Sequence, residues 1–289
     1  MLAIIGQMTI SGILMGGIYA LVSIGLTLIF GVMNVVNFAH GEFLMVSMYL
    51  TFWLFHYLQL DPYLSLFLVA PALFIIGALT QKLIMQHLID KEHYTQIFAT
   101  MGLSIAMANA ALFLWKADYR MVKTSYTTSV MAVGDVVVSY PRLVSFLVAV
   151  AITLLLFAFL KFTYLGKSIR ATAQDHHGAK LMGVNIRKVY VLTLGIGSAC
   201  VGVAGALLMP IYYAFPTVGL QFVLVAFVCV VLGGMGNITG AFFGGLVIGM
   251  VEAFSGFFIA PELKEAVYFI IFVLVLLVKP SGLFGLMRA

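Results

Sequence analysis

Charge is what this chain has least of. Of its 289 residues only 9% are Asp, Glu, Lys or Arg, while 63% are hydrophobic and the mean hydropathy is +1.15. A soluble domain carries about 25% charged residues, so a water-covered globular surface is excluded. Cysteine is scarce as well. Cys200 and Cys229 both fall in apolar segments without metal-ligand spacing, and read as small core residues, not as a zinc site or a disulfide. The N-terminus has no basic leader region and no small-residue cleavage site, so Met1 onward is expected to stay and insert. The polar residues include no paired carboxylates, Ser/His/Asp set or metal spacing, which argues against catalysis. A G-x-x-x-x-G-K-[ST] phosphate loop is missing too, so this chain is not expected to hydrolyse ATP.

What is present are apolar runs long enough to cross roughly 30 Å of hydrocarbon. They lie near 8–31, 38–56, 63–86, 95–115, 142–162, 189–209 and 263–279. The stretch 217–259 is too long for one helix and is broken by "GGMGNITG" at 233–240, giving two spans or two half-helices. The fold class is an all-α polytopic membrane protein with eight or nine spans and broken helices, in a single transmembrane domain over 1–289. Twenty-eight glycines suit close helix contact in lipid. The net charge of +5 fits basic cytoplasmic loops and gives no reason to expect nucleic acid as a partner.

Lys161, Lys167, Arg170, Lys180, Arg187 and Lys188 form the densest basic cluster, which places 163–188 in the cytoplasm. Lys82 and Lys91 fall on the same side two crossings earlier, and the C-terminal Lys279 and Arg288 join them if 217–259 crosses twice. Loop 116–141 is then extracytoplasmic, although Lys116, Arg120, Lys123 and Arg142 oppose that placement, partly offset by Asp118 and Asp135. Its "VMAVGDVVVSY" alternates about a Gly-Asp turn and predicts a small hairpin. Trp53 and Trp115 land at outer span ends, where an amphipathic ring suits the interface.

Three features stand out. The first is "NVVNFAHGEF", 34–43, a polar knot between apolar flanks. An ionisable group in a span costs roughly 2.5–3.5 kcal/mol, so His40 and Glu42 should face protein or water. Asn34 and Asn37 can satisfy backbone groups freed by a helix break, and Gly41 eases a bend. These residues either line a substrate path or tie helices together. The second is "GGMGNITGAFFGGLVIGMVE", 233–252. Gly233, Gly234 and Gly236 disfavour helix, so an unwound turn is expected at membrane depth, with Asn237 beside it. Its amides either hold an anionic substrate group or form a plain packing turn. The patterns Gly240-x-x-x-Gly244 and Gly245-x-x-x-Gly249 permit tight helix contact. Glu252 is a second intramembrane acid, for which a paired structural role is expected. A gapless overlay of 31–48 on 233–250 matches at Gly31/Gly233, Met33/Met235, Ala39/Ala241, Leu44/Leu246 and Met48/Met250, a weak internal repeat that puts both breaks in corresponding places.

The third is "GKSIRATAQDHHGAKLMGVNIRK", 166–188. Residues 168–182 have helical composition up to a stop at Gly183. Ile169, Thr172, Ala173, His176 and Ala179 share one face, which needs either a cytoplasmic protein or the membrane surface against it.

This loop resembles the coupling loop of the branched-chain amino acid permeases of ABC importers. That family's pattern "G-x-x-x-R-A", then "A-x-L-x-G-[IV]-N", is met by Gly166, Arg170 and Ala171, then Ala179, Leu181, Gly183, Val184 and Asn185. "IYALVSIGLTLIFGVMNVVNFAHGE", "VVLGGMGNITGAFFGG" and "LLVKPSGLFG" are also similar to the family, in order, from about residue 6 to 286, with 118–140 matching least. The resemblance implies a non-catalytic permease subunit in a bacterial cytoplasmic (inner) membrane. It further implies a second related permease, two cytoplasmic ATPases that carry ATP and Mg, an extracytoplasmic substrate-binding protein, and no cofactor in this chain. Branched-chain or other hydrophobic amino acids are the implied cargo. The same scaffold could import urea or short amides. A stand-alone secondary transporter or channel using Glu42, Glu252 and His40 is the rival from another class.

Overall fold

The computed structural model describes residues 1–285 apart from Asp90 and Asp135. Asp135 of the expected hairpin turn and Arg288 of the C-terminal basic group lie outside the described residues. The helices are α1 (Leu2–Met33), α2 (His40–Leu58), α3 (Pro62–Leu83), α4 (His93–Trp115), α5 (Tyr140–Phe162), α6 (Tyr164–Gln174), α7 (His176–Leu181), α8 (Ile186–Leu208), α9 (Val218–Gly233), α10 (Ile238–Phe258) and α11 (Lys264–Val278). The hairpin expected in the 116–141 loop is β1 (Val130–Val133) paired antiparallel with β2 (Val136–Ser139), turning through Gly134 at φ 62°.

Among the described residues six helices, α1, α3, α4, α5, α8 and α10, are long and apolar enough to cross a membrane. The expected eight or nine spans thus become six long ones, with α2, α9 and α11 as further helices on the remaining apolar runs. Their bounds fall within a few residues of the apolar runs, except that α1 begins earlier. At 32 residues it is about 48 Å long, well beyond the hydrocarbon thickness. The extra length lies outside, where Gln7 exchanges two hydrogen bonds of 2.8 Å with the backbone of Val137 in β2.

With the basic loop 163–188 in the cytoplasm, α5 descends to it and α8 rises from it. α1 descends, so its N-terminus is extracytoplasmic. On the same assignment α9 runs down from within the bundle and α10 runs back up, and α11 then returns the chain toward the side of the basic loop. Arg120, one of the cations that opposed an outer position for 116–141, stacks over the Phe52 and Trp53 rings at 5.3 and 4.9 Å and donates to the Trp115 carbonyl at 3.2 Å. Asp118 lies 3.8 Å from the same guanidinium, so aromatic faces, a carbonyl and a carboxylate share that charge.

α1 and α10 form the central seam, running antiparallel. A Cβ built on Gly12 would lie 2.7 Å from the Met250 Cα, and one on Gly16 2.8 Å from the Leu246 Cα. Gly245 and Gly249 make the same close approach from α10 to α1, whereas Gly240 and Gly244 face α9. The two overlapping small-residue patterns therefore serve two different neighbours. Around this seam α8 and α9 are largely buried, while α3, α4 and α5 expose most of their apolar surface outward, as lipid-facing helices do.

Candidate functional site

The polar knot is a helix restart inside the bundle. α1 stops when Asn34 takes the left-handed conformation (φ 55°, ψ 32°), its N–H returning to the Phe30 carbonyl at 2.8 Å. The Asn37 side chain accepts from the Ala39 N–H at 3.1 Å, satisfying a backbone group freed by the break, as expected. His40 Nε2 then meets the Val22 carbonyl of α1 at 3.1 Å. Val22 lies about 16 Å up the helix axis from Met33 at 1.5 Å per residue. Residues 34–39 therefore climb back along α1, and α2 begins near mid-depth.

At that depth a second helix begins. The first turn of α9 abuts the first turn of α2, and a Cβ on Gly41 would run into the Gly219 carbonyl. Gly41 is thus not a bend but a contact point inside α2, where only a hydrogen leaves room for the facing backbone. Glu42 sits between the two N-termini. Its Oε1 accepts from Ser104 Oγ of α4 at 3.1 Å, and its Oε2 points at Gly219 without a hydrogen-bond partner. Two helix N-termini each present partial positive charge, which favours a carboxylate there. Asn37, His40 and Glu42 are all at most 2% exposed.

The glycine break is built differently. Residues 234–237 lie at the cytoplasmic ends of α9 and α10, not at mid-depth. Gly234 and Gly236 adopt φ 99° and 84°, left-handed values that other residues take only at a cost. Asn237 caps α10 by accepting from Gly240 N–H at 3.1 Å, and its side-chain amide donates to the Phe284 carbonyl at 2.8 Å. The N–H groups of Gly234, Asn237 and Gly240 are consumed within the turn, so these three take no part in holding an anion, while Met235 and Gly236 line the cavity described next. Gly233 packs on Gly240, and Gly234 on Gly285 and Ser281. The two breaks do meet at one edge, where a Cβ on Gly31 would lie 3.0 Å from the Gly236 Cα.

A cavity of about 2030 Å³ opens beneath them on the cytoplasmic side. Of the residues expected along a path, Asn34, Gly236 and Asn237 line it, together with Arg170, whereas Asn37, His40, Gly41 and Glu42 are enclosed in the bundle.

The cytoplasmic loop is an elbow of two helices, not the single helix expected over 168–182. Asp175 breaks it, leaving the helical region (φ −152°, ψ 104°) and capping α7 through the His177 N–H at 2.9 Å. Amides of Gly178 and His177 hold the Asp175 carboxyl below its ordinary pKa. Most of the expected face is turned inward, whereas His176 is exposed and lines the large cavity. Ile169, Thr172 and Ala179 are buried against the protein itself, so they are not waiting for a partner. Gly166 packs on Leu160 of α5, Gly183 ends α7 at φ 81°, and Asn185 caps α8 by accepting from the Lys188 N–H at 3.1 Å. Val184 and Ala171 are half-buried, and Arg170 and Leu181 point outward. The family pattern thus divides into residues that make the elbow and residues it displays.

Glu252 has the partners expected of it. Its Oε1 pairs with Lys264 Nζ and its Oε2 accepts from Tyr19 Oη, both at 2.5 Å. Lys264, Ser104 and Gly219 were not foreseeable as partners, because each comes from another helix. Only the isolated Lys264 after a Pro-containing turn hinted at a cation near Glu252.

Such a bundle, with re-entrant helix starts and a basic cytoplasmic elbow, is that of a multi-pass integral membrane protein. The model of the family described as "Branched-chain amino acid transport system / permease component" matches residues 8–276, and the chain belongs to that family. Among curated relatives it is 31% identical to the high-affinity branched-chain amino acid transport system permease protein LivH of Salmonella typhimurium, over 96% of this chain and 95% of the relative. It is likewise 31% identical to BraD of Pseudomonas aeruginosa with the same coverage. A probable LivH of Methanocaldococcus jannaschii is 27% identical over 94% and 90%. No solved structure matches significantly.

Proposed function

We propose that this chain forms half of the translocation path of an ATP-driven importer for branched-chain or other hydrophobic amino acids. A second related permease forms the other half, two cytoplasmic ATPases bind ATP and Mg and drive the cycle, and an extracytoplasmic binding protein delivers substrate. The relatives named as permeases of branched-chain amino acid systems support the cargo.

The observation that carries the coupling role is the orientation of the elbow. Its apolar face is spent on its own spans, so it is not a helix resting in lipid. What it displays to the cytoplasm is Leu181 and Met182, at 76% and 85% exposure, flanked by Lys180 and Arg187. An apolar tip inside a basic ring fits a protein groove. The elbow is rooted in α5 through Gly166 and in α8 through Asn185, so displacement of the tip is passed to both spans. A stand-alone ion carrier finds less support, since Glu252 is already paired with Lys264.

Leu181→Glu tests this directly. A docking residue at a buried interface is worth about 1–2 kcal/mol or more, so ATP-driven leucine uptake should fall about tenfold or further. The variant chain should still insert, and the ATPases should still hydrolyse ATP. Wild-type uptake by Leu181→Glu would rule the docking role out.

A further inference from the structure

A second cavity, of about 520 Å³, opens on the extracytoplasmic side. That volume is within the roughly 300–1,000 Å³ of small-molecule sites. Its mouth lies between the outer ends of α1, α5 and α11, where Met8, Arg142 and Lys264 line it. Its depth is set by Tyr19, three residues from the Val22 carbonyl that His40 contacts, and by Phe222, three residues past Gly219. The cavity therefore descends to the level where α2 and α9 begin.

Its walls are of two kinds. One is apolar, with Met15, Phe222, Val225 and Phe257. The other carries two cations, Arg142 and Lys264, and two carboxylates, Glu252 and Glu265. Lys264 and Glu252 are committed to each other, and Tyr19 closes the remaining Glu252 oxygen. Arg142 and Glu265 form no ion pair among the described residues. Arg142 donates only to Ser11 Oγ, at 3.0 Å, and Glu265 is exposed at the start of α11. An uncommitted cation and an uncommitted carboxylate thus border one water-accessible cavity that has an apolar wall.

We infer that this cavity receives a zwitterionic α-amino acid with an apolar side chain. Arg142 takes the α-carboxylate, for which a guanidinium offers two parallel donors. Glu265 takes the α-ammonium, and the side chain lies against Phe222 and Val225. The wall is neutral in sum, so a solute bearing a single net charge leaves one of the two groups unpaired and is disfavoured. This inference rests on the amino-acid transport reading and adds where the cargo first sits in this chain and what recognises its backbone.

The test uses a cysteine reporter at Gly256, which lines the cavity and where an added Cβ meets nothing within 4 Å. The native Cys200 and Cys229 are buried and give a low background. The full transporter carrying Gly256→Cys is reconstituted, and its rate of modification by a water-soluble thiol reagent is followed with L-leucine, 4-methylpentanoate or isopentylamine. Leucine should slow labelling several-fold, and the two analogues, each lacking one charge, should not. Arg142→Gln or Glu265→Gln should raise the leucine concentration for half-protection about tenfold, the loss of one charge-assisted pair. Arg142→Lys should restore part of it. Equal protection by all three compounds, or protection unaffected by both variants, overturns the assignment. ATP-driven leucine uptake is measured in the same vesicles. Vesicles that transport leucine without protection overturn this site alone, whereas no leucine transport overturns the transport reading beneath it.

Discussion

The two helix breaks, 34–39 and 234–237, look alike in sequence and solve opposite problems. The first re-enters the bundle. It is closed by side chains, and its restart at His40 meets another helix start at Gly219. The second stays at the cytoplasmic edge, where left-handed glycines turn the chain and the Asn237 side chain caps α10 and reaches the Phe284 carbonyl. The difference is one of solvent. At mid-depth a freed polar group needs a protein partner, and the Asn37 side chain and the His40 ring each engage a backbone group there. At the edge water is within reach, and glycine's freedom to turn is enough.

Glycine substitutions should separate the two breaks most sharply. Gly41→Val drives a side chain into the Gly219 backbone, which cannot rotate away, and should cost about 3 kcal/mol or more. Gly236→Val meets a tight but single contact at the Gly31 Cα, 3.3 Å away, plus left-handed strain of about 1–2 kcal/mol. Thermal unfolding in mild detergent should therefore show Gly41→Val collapsing and Gly236→Val merely weakened. Equal losses would mean that the two starts at Gly41 and Gly219 are not in contact.

A smaller effect is expected from polar replacements. Glu42→Gln keeps the side chain's size while removing a charge that both faces two helix N-termini and is penalised by burial, so stability should change by no more than about 1 kcal/mol, a few degrees at most. Because Glu42 lines neither cavity, uptake kinetics should be unchanged, and an altered KM for leucine would put it on the path. Asn237→Ala, losing a cap, should cost about the same while also freeing the segment near Phe284.

The smallest effect is that of acid on the elbow. Asp175 has a depressed pKa when folded, so its capping contribution is complete above the ordinary carboxylate range. It is lost only as pH falls through the lower folded value. The protection of the Ala179 amide, its observed exchange rate set against the intrinsic rate at the same pH, should fall at pH 3 relative to pH 6, and Asp175→Asn should flatten that dependence.

Much of this was legible in the chain. Apolar run length placed the spans because the bilayer enforces it, and the glycines of 233–240 marked a true break. What could not be read was where a face would be spent. Ile169, Thr172 and Ala179 make an apolar stripe equally suited to lipid, a partner or the protein's own spans, and periodicity does not distinguish these. The split at Asp175 was readable in principle, since an aspartate two residues before an amide it can cap is a helix start. The mid-depth restart at His40 was not, because its counterpart Gly219 lies far along the chain and looks like any other glycine.

The α1–α10 seam has a mechanical consequence. Backbones in direct contact along Gly12, Gly16, Gly245 and Gly249 cannot slide without lifting apart, so these two helices move as one beam. The extracytoplasmic cavity has this beam as one wall, through Met15, Tyr19 and Glu252, and α5, α9 and α11 around the rest. Any change in its volume during a transport stroke must therefore come from outside the beam. The Glu252–Lys264 pair, which ties the beam to α11, is then a latch across the opening.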